Sequence, residues 1–333
     1  MQFYQRMIFI IILLAQSLFS QSIKIKFASL APEGSTWLNV MKEYDAAIQK
    51  ESGGKIGFKI YPGGIMGDEK TVLRKIRLGQ LHSAGFTGVG LGEILPEERI
   101  FDSPFLFQDY AEIDFITAKF HDEFAHRFEE KGYVLLGWAE VGFVYIFTNT
   151  PVHKLADMNQ VKMWMWEGDP VARATFEAMG VKATPLSIIE VMTALQTGMV
   201  NGVYSSPLAM IGLQWFTKVK YMQQLPLANA AGAVLVSKEL FDKLTPELQK
   251  ILLRNGKKYF NQLKALSRQD NEKSIETLQK NGIQLTPIPT GDALKEIFEC
   301  GEKARRLMAG ELFSEKLLTE VEMALAEFRK TKQ

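Results

Sequence analysis

Residues 23–28 (IKIKFA) alternate branched apolar side chains with lysines, the period-two pattern of a half-buried strand. From Thr36 to about Glu51 the apolar residues Trp37, Val40, Met41, Tyr44, Ala47 and Ile48 recur three and four apart. That spacing predicts an amphipathic helix, which Gly53 and Gly54 end. Residues 55–61 (KIGFKIY) read as a second strand, so the order β-α-β favours a sheet covered by helices. Asp68 is placed to cap a helix over residues 69–78 that Gly79 stops, and residues 81–87 read as a third strand. A helix over 109–131 ends at Gly132. Residues 134–138 and 143–148 then predict two strands with a bend at 139–142.

The pattern restarts after residues 149–159, where Pro151 disfavours helix. Residues 161–166 (VKMWMW) are a strand, 171–179 a helix closed by Gly180, and 181–185 an extended piece. A helix over 188–196 stops at Gly198, and a strand covers 200–204. This second β-α-β run predicts a second lobe. Strands at 218–224 and 231–236 cross between the lobes, making each from discontinuous segments. Helix dominates beyond, over 238–280 with a break at Thr245 and Pro246, and again over 290–329 in several pieces; residues 283–289 interrupt it as an extended stretch. The expected division places 23–147 and approximately 227–275 in lobe I, and 148–226 and approximately 276–333 in lobe II.

The first residues change where such a molecule works. Arg6 precedes an unbroken apolar run at residues 7–15, and small residues follow at Ala15, Ser17, Ser20 and Ser22. Residues 1–22 therefore read as a secretory signal peptide, with cleavage after Ser17 or Ser22 both fitting the small-x-small rule. At roughly 1.5 Å per residue the run falls short of a bilayer core of about 30 Å. Some 311 residues follow residue 22, which suits two lobes better than one. Cys300 is the only cysteine, so no intrachain disulfide forms, and it reads as a core or helix-face residue.

Charge and motifs remove several kinds of function. Lys and Arg number 39 against 38 Asp and Glu, which gives no electrostatic case for nucleic acid. The glycines at 63, 64 and 67 are not followed by the Lys-Ser or Lys-Thr of a phosphate loop. Gly85, Gly88, Gly90 and Gly92 form a small-residue stretch without the partner features of a dinucleotide site. His82, His121, His126 and His153 lack helical metal-pair spacing, and no nucleophile elbow occurs. Asp68 with Glu69, and Glu97 with Glu98, read as exposed turns or helix starts. No catalytic residue, metal ligand or cofactor is assigned. The aromatic loop at 101–107 (FDSPFLF) reads as lobe packing near a cleft. Two related lobes with a cleft between them fit noncovalent capture of a small molecule, closed by a hinge.

Several segments carry a resemblance: KIYPGGIMG at 59–67, SPFLF at 103–107, LADMNQVKM at 155–163, and EAMGVKATPLSIIEVMTALQTGMVNG at 177–202. With them the chain resembles the DctP-like solute-binding proteins of tripartite ATP-independent periplasmic (TRAP) transporters over essentially its whole exported length. The resemblance implies a bilobal type II periplasmic binding protein fold of class α/β, with two sheet-and-helix lobes and a long hinge helix. It implies a periplasmic receptor that presents a small organic ligand to the large and small membrane subunits of a transporter driven by a cation gradient. A receptor signalling to a membrane sensor is the alternative for the same cleft.

The resemblance also shows where this sequence departs. The family arginine that anchors a ligand carboxylate follows the strand motif Val161, Lys162, Met163, and the matching position here is Trp164. A second arginine of some members falls near Val144, and a common asparagine falls at Ser206, after Ser205. A guanidinium offers five fixed donors, an indole one donor and a broad apolar face. The expected ligand is therefore larger, less anionic or more aromatic/apolar than a simple dicarboxylate. Trp37, Phe143, Trp164 and Tyr204 are the expected contact surfaces, with Ser205, Ser206 and Gln214 as polar contacts. Asn201 reads as a turn residue. Arg173, Arg74 and Arg77 are the candidates for a compensating cation, each also readable as a solvated helix-face residue.

Overall fold

The computed structural model describes residues 22–332. The expected signal segment therefore lies almost wholly outside the described residues. Among those described, no helix is long and apolar enough to cross a membrane.

Two sheets form, joined by one strand. In the first, β1 (Ile23–Ala28) runs parallel to both β2 (Ile56–Tyr61) and β3 (Ser83–Thr87). The strand β4 (Tyr133–Thr148) joins that sheet through β9 (Ala228–Ser237), which pairs antiparallel with β3 on one side and β4 on the other. The last four residues of β4 leave β9 and pair antiparallel with β7 (Gly202–Ser205). There they enter the second sheet, where β5 (Met163–Trp166) lies parallel to β7 and to β6 (Ala183–Leu186). The short strand β8 (Tyr221–Gln223) pairs with β4 and with β10 (Gln284–Thr286). The two strands expected at 134–138 and 143–148 are thus one. Bulges between Leu135 and Gly137 and between Glu140 and Gly142 absorb the bend without breaking the ladder. Gly142 has φ +100°, and a Cβ there would sit 2.6 Å from Asn271 Nδ2, so glycine is required twice over.

The long helix Pro246–Lys280 spans both lobes, about 50 Å at 1.5 Å per residue. Thr245 caps it, accepting from Leu248 N, and Pro246 occupies its first position. Near its start Gly256 lets it lie on β4, since a Cβ would stand 2.4 Å from the Leu136 carbonyl oxygen. Tyr44 of the helix Thr36–Glu51 donates to Leu252 O at 2.8 Å. Further along, Asn271 Nδ2 donates to Val141 O and its Oδ1 accepts from Leu208 N. One side chain thus ties the crossing strand to the helix Pro207–Gly212 of the second lobe.

The C-terminal helices divide between the lobes, which corrects the expectation that everything beyond about 276 belongs to lobe II. Helix Asp292–Met308 packs on helix Pro170–Ala178 of the second lobe. Helix Glu315–Thr331 returns to the first lobe and packs on helix Tyr110–Glu130. Phe328 stacks on Phe115 at 4.5 Å, and Arg329 holds the buried Glu112 through Nε and Nη2, both at 2.8 Å. The physical cause is the apolar stripe Leu317, Leu318, Val321, Ala324 and Leu325, which joins the first lobe's core.

Candidate ligand cleft

A cavity of about 460 Å³ lies between the lobes. The carboxyl ends of four parallel strands point into it: Ser29 after β1, Gly88 after β3, Asp169 beyond β5, and Ser205 and Ser206 at the end of β7. Ligands of open α/β sheets settle at such strand ends. The walls are mainly apolar and aromatic.

Trp164 occupies the centre of the aromatic wall and is 2% exposed. Its ring stacks on Tyr204 at 4.9 Å and 20°, and meets Trp215 edge-on at 5.4 Å. Its Nε1 donates to Leu186 O at 3.0 Å. The Tyr204 hydroxyl accepts from Trp166 N at 3.3 Å, and burial pushes its pKa well above the usual tyrosine value. Tyr204 is partly exposed, and the face it shows is to the cavity. Trp37 reaches in from the first lobe over the backbone of β3, where a Cβ on Gly85 would stand 3.1 Å from its ring.

The cavity floor is charged. Arg99, from the turn Pro96–Asp102, is 4% exposed. Its Nη2 donates to Asp169 Oδ1 at 2.9 Å, and its Nε lies 3.1 Å from Asp102 Oδ2. Asp169 also caps helix Pro170–Ala178 by accepting from Val171 N, and Asp102 Oδ1 accepts from Ala231 N at 2.7 Å. Burial opposes the charge on Arg99, but Asp169 and Asp102 outweigh it and hold the guanidinium protonated. Burial pushes Asp102 up to about 6 despite the pull of Arg99. Glu98 behind them is fully buried with no hydrogen-bond partner; burial, reinforced by Asp102, raises its carboxyl well above the usual range. Glu69 accepts from Thr87 N, Thr87 Oγ1 and Gly90 N at 2.7–2.9 Å, yet burial still lifts it to about 7. Among the lining residues Arg99 is the single lysine or arginine. Asn229 also lines the cavity, and its buried Oδ1 accepts no hydrogen bond. Among the described residues no cluster of histidine, cysteine or acidic side chains is arranged to hold a metal.

The family model for bacterial extracellular solute-binding proteins, family 7 (DctP), matches residues 27–308. The chain belongs to this family. A solute-binding protein of Verminephrobacter eiseniae is 29% identical over 240 residues, 71% of each chain. The 2,3-diketo-L-gulonate-binding periplasmic protein of Escherichia coli is 24% identical over 247 residues, 73% of this chain and 75% of that one. A TRAP periplasmic solute-binding protein of Pseudomonas putida, solved with bound D-glucuronate, superposes with a TM-score of 0.80 at 25% identity, covering 86% of this chain and 92% of that one. The molecule is a bilobal DctP-family receptor for a small organic solute of a TRAP-type transport system, and not an enzyme.

On this DctP-family scaffold the residues singled out from sequence scatter. Trp37, Trp164, Tyr204, Ser205 and Ser206 all line the cavity. Ser206 is fully buried and its Oγ is engaged as the cap of helix Pro207–Gly212, accepting from Ala209 N. Phe143 does not line the cavity: it packs on Tyr110 at 4.8 Å in the first lobe's core. Gln214 also lies outside the lining, at a left-handed position (φ 59°) between Leu213 and Trp215, which do line it. Asn201 is a turn residue that accepts from Lys162 N. Arg173 pairs with Glu311 on the surface, and neither Arg74 nor Arg77 lines the cavity.

The charged floor escaped sequence reasoning. Glu69 and Glu98, read as residues of exposed turns or helix starts, are buried, Glu69 at the start of its helix. A signal for it existed in the small-residue stretch. A Cβ on Gly88 would fall 1.6 Å from Asp102 Oδ2, one on Gly90 2.8 Å from Glu69 Oε2, and one on Gly92 2.6 Å from Arg99 Cδ. Those glycines are the space that the acids and the arginine occupy.

Proposed function

We propose that this receptor captures a small organic ligand with a substantial aromatic or apolar face, and not a simple dicarboxylate. It delivers that ligand to the large and small membrane subunits of a transporter driven by a cation gradient. Trp37, Trp164, Tyr204 and Ser205 supply the contact surface, and Asn229 supplies an acceptor. The observation that carries the reading is the charge of the cleft: its single basic side chain is already held by Asp169 and Asp102. The relatives named above bind 2,3-diketo-L-gulonate and D-glucuronate. An acid of that kind would bring a negative charge that no free cation lining this cleft meets.

The test is direct. Protein purified under native conditions is stripped of retained ligand, which mass spectrometry identifies. Succinate, malate and fumarate are then titrated calorimetrically. The expected result is a retained molecule with an aromatic or extended apolar portion, and no dicarboxylate binding at millimolar concentration. Micromolar binding of any of the three acids would overturn the ligand assignment and leave the receptor role standing.

A further inference from the structure

The pair Arg99–Asp169 joins the two lobes. Arg99 belongs to the first lobe: its neighbours Ile100 and Phe101 sit in that lobe's core, where Phe101 packs on Phe124 at 5.0 Å. Asp169 follows β5 of the second sheet. Both side chains are about 95% buried, both line the cavity, and they meet at 2.9 Å. A guanidinium facing a closed cleft is what a ligand carboxylate would seek. Here that place is taken by a carboxylate of the protein, brought across from the opposite lobe.

We propose that Asp169 is a built-in counter-ion that occupies Arg99 and sets the cleft's selectivity against free carboxylates, in favour of uncharged or positively charged ligands. The proposal rests on the cleft being the ligand site. Three further features agree with it. Asp102 lies on the guanidinium's other edge, its Oδ2 3.1 Å from Nε in an ion pair without a well-formed hydrogen bond, so a second carboxylate also compensates the charge of Arg99. The Asp169 carboxylate is fixed by Val171 N at the head of its helix, so it cannot swing aside freely for an incoming anion. The acceptor on Asn229 that lacks a donor suits a ligand bearing an N–H or O–H group. Ligand carboxylate and Asp169 are thus competitors for one cation, and Asp169 holds it without the entropy cost of association.

Removing the competitor should open the site to acids. Asp169→Asn keeps a good helix cap and the shape of the side chain while deleting its charge; Asp169→Ser, also a capping residue, is the second variant. Each is titrated calorimetrically with benzoate, succinate and D-glucuronate, with circular dichroism and melting curves confirming the fold. The wild type should bind none of the three at millimolar concentration. At least one variant should bind one or more of them roughly tenfold better, or more, the scale of a charge-assisted hydrogen bond gained. Adding Arg99→Gln should abolish that gain. A folded variant that gains no carboxylate binding, beside a wild type that also rejects the acids, overturns the role of Asp169 while the ligand reading stands. Tight binding of an acid by the wild type overturns both. A gain that survives Arg99→Gln overturns the assignment of the cation.

Discussion

Trp164 tests how far the aromatic wall is structure as well as surface. The indole is 2% exposed, stacked on Tyr204, edge-on to Trp215, and bonded to the Leu186 carbonyl. Truncation to alanine removes a buried aromatic ring, at a cost of about 3–5 kcal/mol. The orphaned Leu186 carbonyl adds about 1 kcal/mol where the cavity does not hydrate it. For a chain of this length the unfolding entropy is roughly 0.65 kcal/mol/K, from about 2.1 cal/mol/K per residue. Trp164→Ala should therefore lower Tm by roughly 6–9 °C when both lobes melt together. Trp164→Phe keeps most of the stack and loses the donor, so it should cost only about 1–2 kcal/mol, or roughly 2–3 °C. Differential scanning calorimetry at pH 7 on ligand-free protein separates the two. A Trp164→Ala protein within 1 °C of wild type would refute the reasoning, because the packing seen around the ring would then be worth almost nothing. The affinity for the retained ligand should fall in both variants, and further in the alanine one.

Two other perturbations test the buried charges. Burial lifts Glu69 to about 7, so between about pH 4.5 and 7 the folded chain keeps a proton that the unfolded chain has released. Wild-type stability should therefore fall as pH rises through that window relative to Glu69→Gln, by about 1–3 kcal/mol, with the two profiles parallel below it; urea unfolding at several pH values measures the difference, and profiles parallel throughout would contradict the burial argument. Arg268 bonds Glu140 at 2.5 and 2.9 Å and Asp114 at 2.7 and 2.8 Å, and Glu140 is only 2% exposed. Arg268→Met should destabilise the protein by about 3 kcal/mol, since it strands a buried carboxylate, whereas breaking the exposed pair Lys243–Glu239 should leave Tm unchanged.

The elements were legible because local chemistry marks them. Asp68 caps where it was expected to, the expected break at Thr245 and Pro246 is where Thr245 caps the long helix, and Gly53, Gly79 and Gly180 close their helices. The family motifs carried the fold and the role further than periodicity could. What escaped has a common cause, which is that facing is decided by tertiary structure. Successive residues of a strand point to opposite faces, and two bulges in β4 shift the count, so sequence alone does not say that Val144 borders the cavity while Phe143 enters the core. Glu98 reads as part of an exposed turn or helix start, Asp102 as part of an aromatic packing loop, and nothing in the sequence marks Arg99 as buried. Their burial depends on Gly88, Gly90 and Gly92 lying against them, and on Asp169 arriving 70 residues later in the chain.

The departures at 144, 164 and 206 make one physical change. Trp164, where the resemblance places the family arginine, presents apolar surface, and stacking on Tyr204 and Trp215 fixes it there. The Ser206 hydroxyl is engaged as a helix cap, which leaves Ser205 and Asn229 among the polar side chains that line the cavity beside the charged floor. A buried arginine without a partner would cost several kcal/mol, and Asp102 and Asp169 remove that cost whether or not a ligand is present. Charge compensation in this cleft is therefore independent of the ligand, and affinity has to come from elsewhere. A ligand that buries about 300 Å² of apolar surface gains roughly 7 kcal/mol before the cost of association. Aromatic stacking adds about 0.5–1.5 kcal/mol for each ring engaged. On those magnitudes, under the proposed reading, the ligand's shape and apolar area supply most of the affinity, while the Arg99–Asp169 pair excludes free carboxylates.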